Sequence, residues 1–337
     1  MQTTYFHDWI GAHLSMVRIL LILILFTAMA QFASFGLIQA HVIAAFGAQP
    51  EDISFALQVS YAGIISTLPI QFRLLKYFNT RNYLLSALLA GILLNIGCLL
   101  VQDLVLFSIL RFFVGMTTCV IAGCMLIVLF STLPESKRML MGVSLFFSLI
   151  LSSGLIVGVG ASWAVMRANW TVIYYGLIGL QAMAIFLCLL VFKAKPGRRP
   201  YPLYQIDWFG GSLLMFTAVA LAYVFVYGPN RYWFSDPSIR YTTFFAMVMG
   251  VLFLFRQAIL KRPLIDLRVF RYGKFIMGIL LMIVFYGIKD SINLIYGYSA
   301  SFLGWSAEDV VQAGMFNILG VIAATLIVVK AIQVKKE

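Results

Sequence analysis

Apolar residues run along this chain in long, nearly unbroken stretches separated by short polar ones. The pattern shows neither the period-two alternation of a half-buried strand nor the single apolar stripe of a surface helix. Ten stretches, at 17–45, 53–75, 82–101, 104–132, 139–165, 170–193, 207–228, 241–260, 275–302 and 309–330, reach the roughly 20 residues a helix needs to cross a bilayer. Several exceed that length and predict tilted helices. All are too long and continuous for the alternating segments of about ten residues that build a membrane barrel. The pattern therefore predicts an all-α polytopic membrane protein with about ten transmembrane helices.

Composition removes the alternatives. Of the 337 residues, 62% belong to the apolar set and 11% are charged, where a soluble domain carries about 25% charge. A single soluble core could not bury so much apolar surface, and disorder is excluded for the same reason. The net charge of +12 does not mark a nucleic-acid partner, because the basic residues stand in small groups between the apolar runs. Arg18, Arg73, Lys76, Arg81, Lys137, Arg138, Lys193 and the cluster from Arg256 to Lys274 fall on one side of an alternating topology. Arg167, Arg231 and Arg240 fall on the other, among Glu51, Asp52, Asp103, Asp236, Glu308 and Asp309. The positive-inside rule then predicts a cytoplasmic N-terminus in a cytoplasmic (inner) membrane.

Proline and glycine in the basic segment Lys193-Ala-Lys-Pro-Gly-Arg-Arg-Pro-Tyr-Pro202 cannot continue a helix, so the chain divides there. The expected organisation is a cytoplasmic leader at 1–16, a six-helix bundle at 17–193 and a cytoplasmic linker at 194–206. Two further helices follow at 207–260, then a cytoplasmic loop at 261–274, two helices at 275–330 and a cytoplasmic tail at 331–337.

Polar residues inside apolar runs carry the candidate chemistry. Arg111 lies within the fourth span, and Lys289 and Asp290 lie beyond the middle of the ninth. Tyr286, Lys289, Asp290, Asn293 and Gly297 recur at helical spacing along one face. Charges at such depth face a partner or a water-filled cavity rather than lipid. Asp290 is either neutralised locally or by Arg111, or it is a proton-carrying carboxylate whose pKa burial raises. Gln31, Ser34 and Gln39 give the first span a sparse polar face that lines a substrate path or bonds a neighbouring helix. Gly115, Gly154, Gly158 and Gly160 suit close helix packing. Cys98, Cys119, Cys124 and Cys188 sit in apolar runs as small packing residues. His7, His13 and His41 form no ligand set, so no metal is expected. No phosphate-binding glycine loop is present, no cofactor is expected, and tyrosines and tryptophans near span ends read as interfacial anchors.

Several segments resemble the major facilitator superfamily, and within it the fourteen-helix drug:proton antiporter branch. Ile206-Asp-Trp-Phe-Gly-Gly211 is similar to that branch's entry to its first extra helix, and Tyr227-Gly-Pro-Asn-Arg-Tyr-Trp-Phe-Ser235 resembles its outer loop. Arg262-Pro-Leu-Ile-Asp-Leu-Arg-Val-Phe270 is similar to the segment after its second extra helix, and Gly304-Trp-Ser-Ala307 to a later turn. Leu110-Arg-Phe-Phe-Val-Gly115 fits the superfamily's arginine-glycine pattern in the fourth span. The chain departs from the family where Lys76 replaces an aspartate and Asn79 a glycine, and where Phe32 stands at the branch's first-span aspartate.

The resemblance implies a major-facilitator-like helical bundle and secondary active transport by alternating access. It also implies proton-coupled efflux of a small organic, drug-like or amphipathic substrate, with Arg111 in proton coupling or anion attraction. The alternative for Arg111 is an arginine that snorkels outward or bonds backbone carbonyls to hold the fold. The implied partners are the lipid bilayer, that substrate and protons. A fourteen-helix member has four more spans, so the chain is expected to be a truncated or split transporter, partnered by a separately encoded C-terminal fragment, or else a ten-helix variant. A non-transporting remnant is the alternative. A ten-helix membrane acyltransferase would have to use His7, Asp8, His13 and Arg18, which lack its motif, so no enzyme is expected.

Overall fold

The computed structural model describes residues 5–11, 13–135, 169–193 and 202–284 continuously, together with isolated positions between and beyond them. Within these residues a helical turn α1 (Asp8–Gly11) precedes α2 (Leu14–Phe46), α3 (Pro50–Tyr77), α4 (Thr80–Leu100), α5 (Leu104–Ser131), α6 (Val172–Val191), α7 (Trp208–Tyr227) and α8 (Pro237–Ile259). Helix α9 begins at Gly273 and is described to Val284. Seven helices, α2 to α8, are long and apolar enough to cross a membrane, and no strand is present among the described residues. The protein is an all-α, multi-pass membrane protein. The expected spans at 139–165 and 309–330, and most of 275–302, lie outside the described residues.

Short polar connections start and stop these helices. Asp103 caps α5 by accepting from the Leu106 amide at 2.7 Å, and Asp207 caps α7 by accepting from the Gly210 amide at 2.9 Å. Proline occupies the first position of α3 and of α8, where its missing N–H costs nothing. Helix α2 stops at Gly47, whose φ of 59° is the left-handed conformation that glycine adopts without a Cβ penalty.

The chain runs up and down. Arg18, at the start of α2, donates to the Thr132 carbonyl beyond the end of α5 at 2.6 Å. At the opposite end Phe46 packs on Phe107 and Trp170, with ring centres 5.2 and 6.0 Å apart. One end of the bundle therefore collects Arg18, Arg73, Lys193, Arg256 and Arg262, and the other collects Asp52, Asp103 and Asp236. The charge asymmetry read along the sequence becomes an asymmetry in space.

The leader is part of the fold. The Lys193 amide donates to the Tyr5 carbonyl at 3.0 Å and the His7 amide to the Val191 carbonyl at 3.1 Å, while Phe6 and Ile10 are fully buried. Phe6 meets Phe192 with ring centres 5.8 Å apart. Residues 5–11 thus close the basic end of the bundle.

Helices α3 and α5 approach most closely at two glycines. A Cβ on Gly63 would overlap the Phe112 carbonyl oxygen, and one on Gly115 would overlap the Ser60 carbonyl oxygen. Only hydrogen at both positions lets the backbones meet, the usual means of packing where no hydrophobic drive exists between helices.

Helix α7 packs on α3, and α8 packs on α7. At the basic end Arg73 of α3 donates to the Pro263 carbonyl at 2.7 Å and more weakly to the carbonyls of Gln205 and Arg262. Asp207 pairs with Arg256 at 2.8 Å, and Gln257 both donates to Asp207 and accepts from the Leu264 amide at 2.6 Å. These contacts tie both ends of the α7–α8 hairpin to the end of α3.

Candidate functional site

Arg111 follows the α5 cap by two helical turns, so it sits about 10 Å into the helix. It is 1% exposed and does not reach back toward water. Its guanidinium lies 4.0 Å from the centre of the Phe35 ring on α2, a contact worth about 2 kcal/mol where water is excluded. The Nε and Nη2 donors have no hydrogen-bond partner among the described residues. Tyr174 lies within hydrogen-bonding reach of the arginine, and Cys98 is close enough for its charge to act. A cation held this way costs at least about 2.5 kcal/mol in a membrane.

A chain of buried amides crosses the bundle beside it. Asn95 of α4 donates through Nδ2 to Gln181 Oε1 of α6 at 3.0 Å. Gln181 donates through Nε2 to Gln31 Oε1 of α2 at 2.9 Å. All three are buried. The glutamine fits because Gly91 faces it; a Cβ there would collide with the Gln181 amide. The apolar core divides at this layer. Leu21, Ile24, Leu25, Leu88, Met125 and Cys188 form one cluster toward the basic end. Phe35, Ile38, Val42, Phe107 and Tyr174 form another toward the opposite end. The amide layer and Arg111 therefore lie toward the middle of the bundle.

Of the candidates read from sequence, Gln31 belongs to this chain, bonded to its neighbour. Ser34 is buried one turn from it, and Gln39 is half-buried nearer the end of α2. Gly115 stands at the α3–α5 crossing. Gly160 is exposed, with nothing among the described residues within 4 Å of a Cβ position. Tyr286, Lys289, Asp290, Asn293, Gly154 and Gly158 lie outside the described residues. Phe32 meets Tyr61 edge-on, with ring centres 4.5 Å apart. The four cysteines are buried and unpaired. Among the described residues no three His, Cys, Asp or Glu side chains gather as a metal site would require.

Sequence reasoning passed over Asn95, Gln181 and Tyr174. A single amide in the middle of an apolar run was the available signal; that Asn95 meets Gln181, and Gln181 meets Gln31 150 residues away, was not.

The family model of the major facilitator superfamily matches residues 20–336. The chain belongs to the major facilitator superfamily. It is 25% identical over 193 residues to the "Uncharacterized MFS-type transporter YhcA" of Bacillus subtilis (strain 168), a match that covers 56% of this chain and 34% of that protein. The chain therefore spans about a third of the length of the curated relative it matches. The family places these helices in a fold whose members work within the bilayer.

Proposed function

We propose that this superfamily member is a secondary transporter that exchanges protons for a small amphipathic organic substrate by alternating access, in the manner of the drug:proton antiporter branch. One observation carries the reading: a fully buried arginine, stacked on Phe35 with two donors that have no hydrogen-bond partner among the described residues, between the bundle's apolar clusters. A structural arginine would be paired or would reach water. One with free donors is a site for a carboxylate that gains and loses a proton, or for a substrate's anionic group.

Asp290 is the proposed proton carrier, balanced by Lys289, with Tyr286 and Asn293 on the same helical face. It takes the place of the first-span acid that Phe32 lacks. The basic end of the bundle is proposed to be cytoplasmic, in the inner membrane, with the N-terminus on that side. The transporter designation of the Bacillus subtilis relative supports the reading.

The test separates coupling from binding. Purified protein reconstituted in vesicles is assayed for proton-driven uptake and for substrate exchange at equilibrium, with and without Arg111→Gln. The proposal expects the substitution to abolish the driven flux and leave exchange largely intact. Loss of neither, in protein that reconstitutes normally, contradicts it.

A further inference from the structure

A second feature stands away from the bundle interior, where α3, α5 and α7 meet at the end opposite the basic one. A groove of about 520 Å³ is lined by Phe55 and Val59 of α3, by α5 from Leu104 to Phe113, and by Met215, Val219 and Tyr223 of α7. Its wall is almost wholly apolar, and it opens sideways past Val105, Ile109 and Phe113, which are exposed. Ten residues of α5 at about 1.5 Å each run about 15 Å, half of a hydrocarbon core about 30 Å thick. Helix α5 has 28 residues, so the groove runs along about a third of it from the end opposite the basic one, a depth that suits an acyl chain within one leaflet.

Its polar end lies at the level of those helix ends. Asp52, in the first turn of α3, accepts from the Tyr227 hydroxyl at 2.7 Å and from the Gln49 amide at 3.2 Å. A carboxylate has about four lone-pair sites, so Asp52 keeps capacity for another donor. Tyr223, Tyr227 and Phe55 surround it, with ring centres 4.6 to 5.8 Å apart. Arg231 stands over both tyrosines, 5.1 Å from the Tyr227 ring and 5.8 Å from Tyr223. Its Nη1 donates to Ser238 Oγ at 2.9 Å and lies 4.0 Å from Asp236. Asp52 and three aromatic rings thus stand at the mouth of the apolar groove, with Arg231 and its partner Asp236 beside them.

We propose that this groove binds one membrane phospholipid whose headgroup carries a primary amine and a phosphate, of the phosphatidylethanolamine type. The ammonium donates to Asp52 and rests against the tyrosine faces, which attract cations. The phosphate pairs with Arg231, and an acyl chain lies along α5. A zwitterion brings a donor to Asp52 and an acceptor to Arg231, whose contact with Asp236 is long at 4.0 Å; an anionic lipid would set its net charge against both carboxylates. A soluble ligand would leave the lateral opening without purpose. Under the proposed orientation the lipid belongs to the outer leaflet, but the site itself does not depend on that orientation or on transport.

The test uses the full chain in nanodiscs of equal phosphatidylethanolamine and phosphatidylglycerol, with retained lipids counted by native mass spectrometry. One charge-assisted hydrogen bond predicts a preference on the order of tenfold for the amine lipid. Asp52→Asn, whose amide oxygen can still accept from the Gln49 amide, should remove the preference, and Arg231→Gln, which removes the phosphate contact common to both lipids, should lower retention of both. Val219→Trp, which fills the groove and leaves the headgroup residues intact, should remove the bound lipid, with helix content checked by circular dichroism. Equal retention of both lipids by the wild type, or a preference that survives Asp52→Asn, overturns the proposal. So does tighter binding of a single-chain quaternary ammonium amphiphile than of the phospholipid, insensitive to Arg231→Gln, which would mark a solute site.

Discussion

At the residue scale, Arg111 illustrates how a buried charge and function trade against each other. Its stacking on Phe35 offsets only part of its desolvation, and two donors have no partner among the described residues. Replacing it with an apolar residue of similar reach removes that cost, as isosteric replacement of buried charges often does. Arg111→Met is therefore expected to leave stability unchanged or raise it by about 1 kcal/mol, while transport is lost. Thermal unfolding in detergent measures the first and a flux assay the second; a large fall in stability would mean the arginine holds the fold. Gln181 predicts the opposite. Gln181→Leu removes two interhelical hydrogen bonds, each worth about 0.6 kcal/mol in a membrane, and strands Asn95 and Gln31. A loss of about 1 kcal/mol is expected, read as a lower unfolding temperature; no change would show that water or another group replaces the amide. Asp236 adds a pH dependence at the surface. The Ser238 hydroxyl and amide hold its carboxyl below the ordinary carboxylate range. Its contribution is then complete above that range, near pH 4, and is lost as pH falls through the depressed value. The stability difference between wild type and Asp236→Asn should shrink on acidification, as thermal unfolding across pH would show.

At the scale of elements, the apolar runs located the helices well. The run at 17–45 became Leu14–Phe46 and the run at 53–75 became Pro50–Tyr77. Hydrocarbon thickness sets the length of such runs, and capping residues such as Asp103 and Asp207 mark the ends. The leader was harder to read, because Phe6 and Ile10 are apolar only in isolation. They form no run, and their burial depends on Phe192, far along the chain. The Arg73 staple was equally hidden, since its acceptors are backbone carbonyls that carry no residue signature. Its role can be tested directly. Arg73→Ala should loosen the attachment of the α7–α8 hairpin at the basic end, giving faster amide hydrogen exchange at Ile206 and Leu264 than in wild type. Exchange in α2 and α6, which Arg73 does not touch, should be unchanged; uniform acceleration would mean general destabilisation instead.

At the scale of the molecule, the segregation of charge to the two ends was legible in the sequence because the positive-inside pattern is written in loop residues. The central polar layer was only half legible. Gln31 and Arg111 stood out as polar residues in apolar runs, but the partners that give them a setting come from helices far along the chain. The proposed transport reaction follows from that setting, and it is exposed to one direct measurement. The full chain is reconstituted in vesicles with an imposed pH gradient, and movement of the fluorescent cation ethidium is recorded together with internal pH. The account predicts ethidium movement that requires the gradient and dissipates it, stops on addition of a protonophore, and is absent in both Arg111→Gln and Asp290→Asn. Movement at the wild-type rate with the gradient collapsed, or in both variants with normal reconstitution, would contradict it.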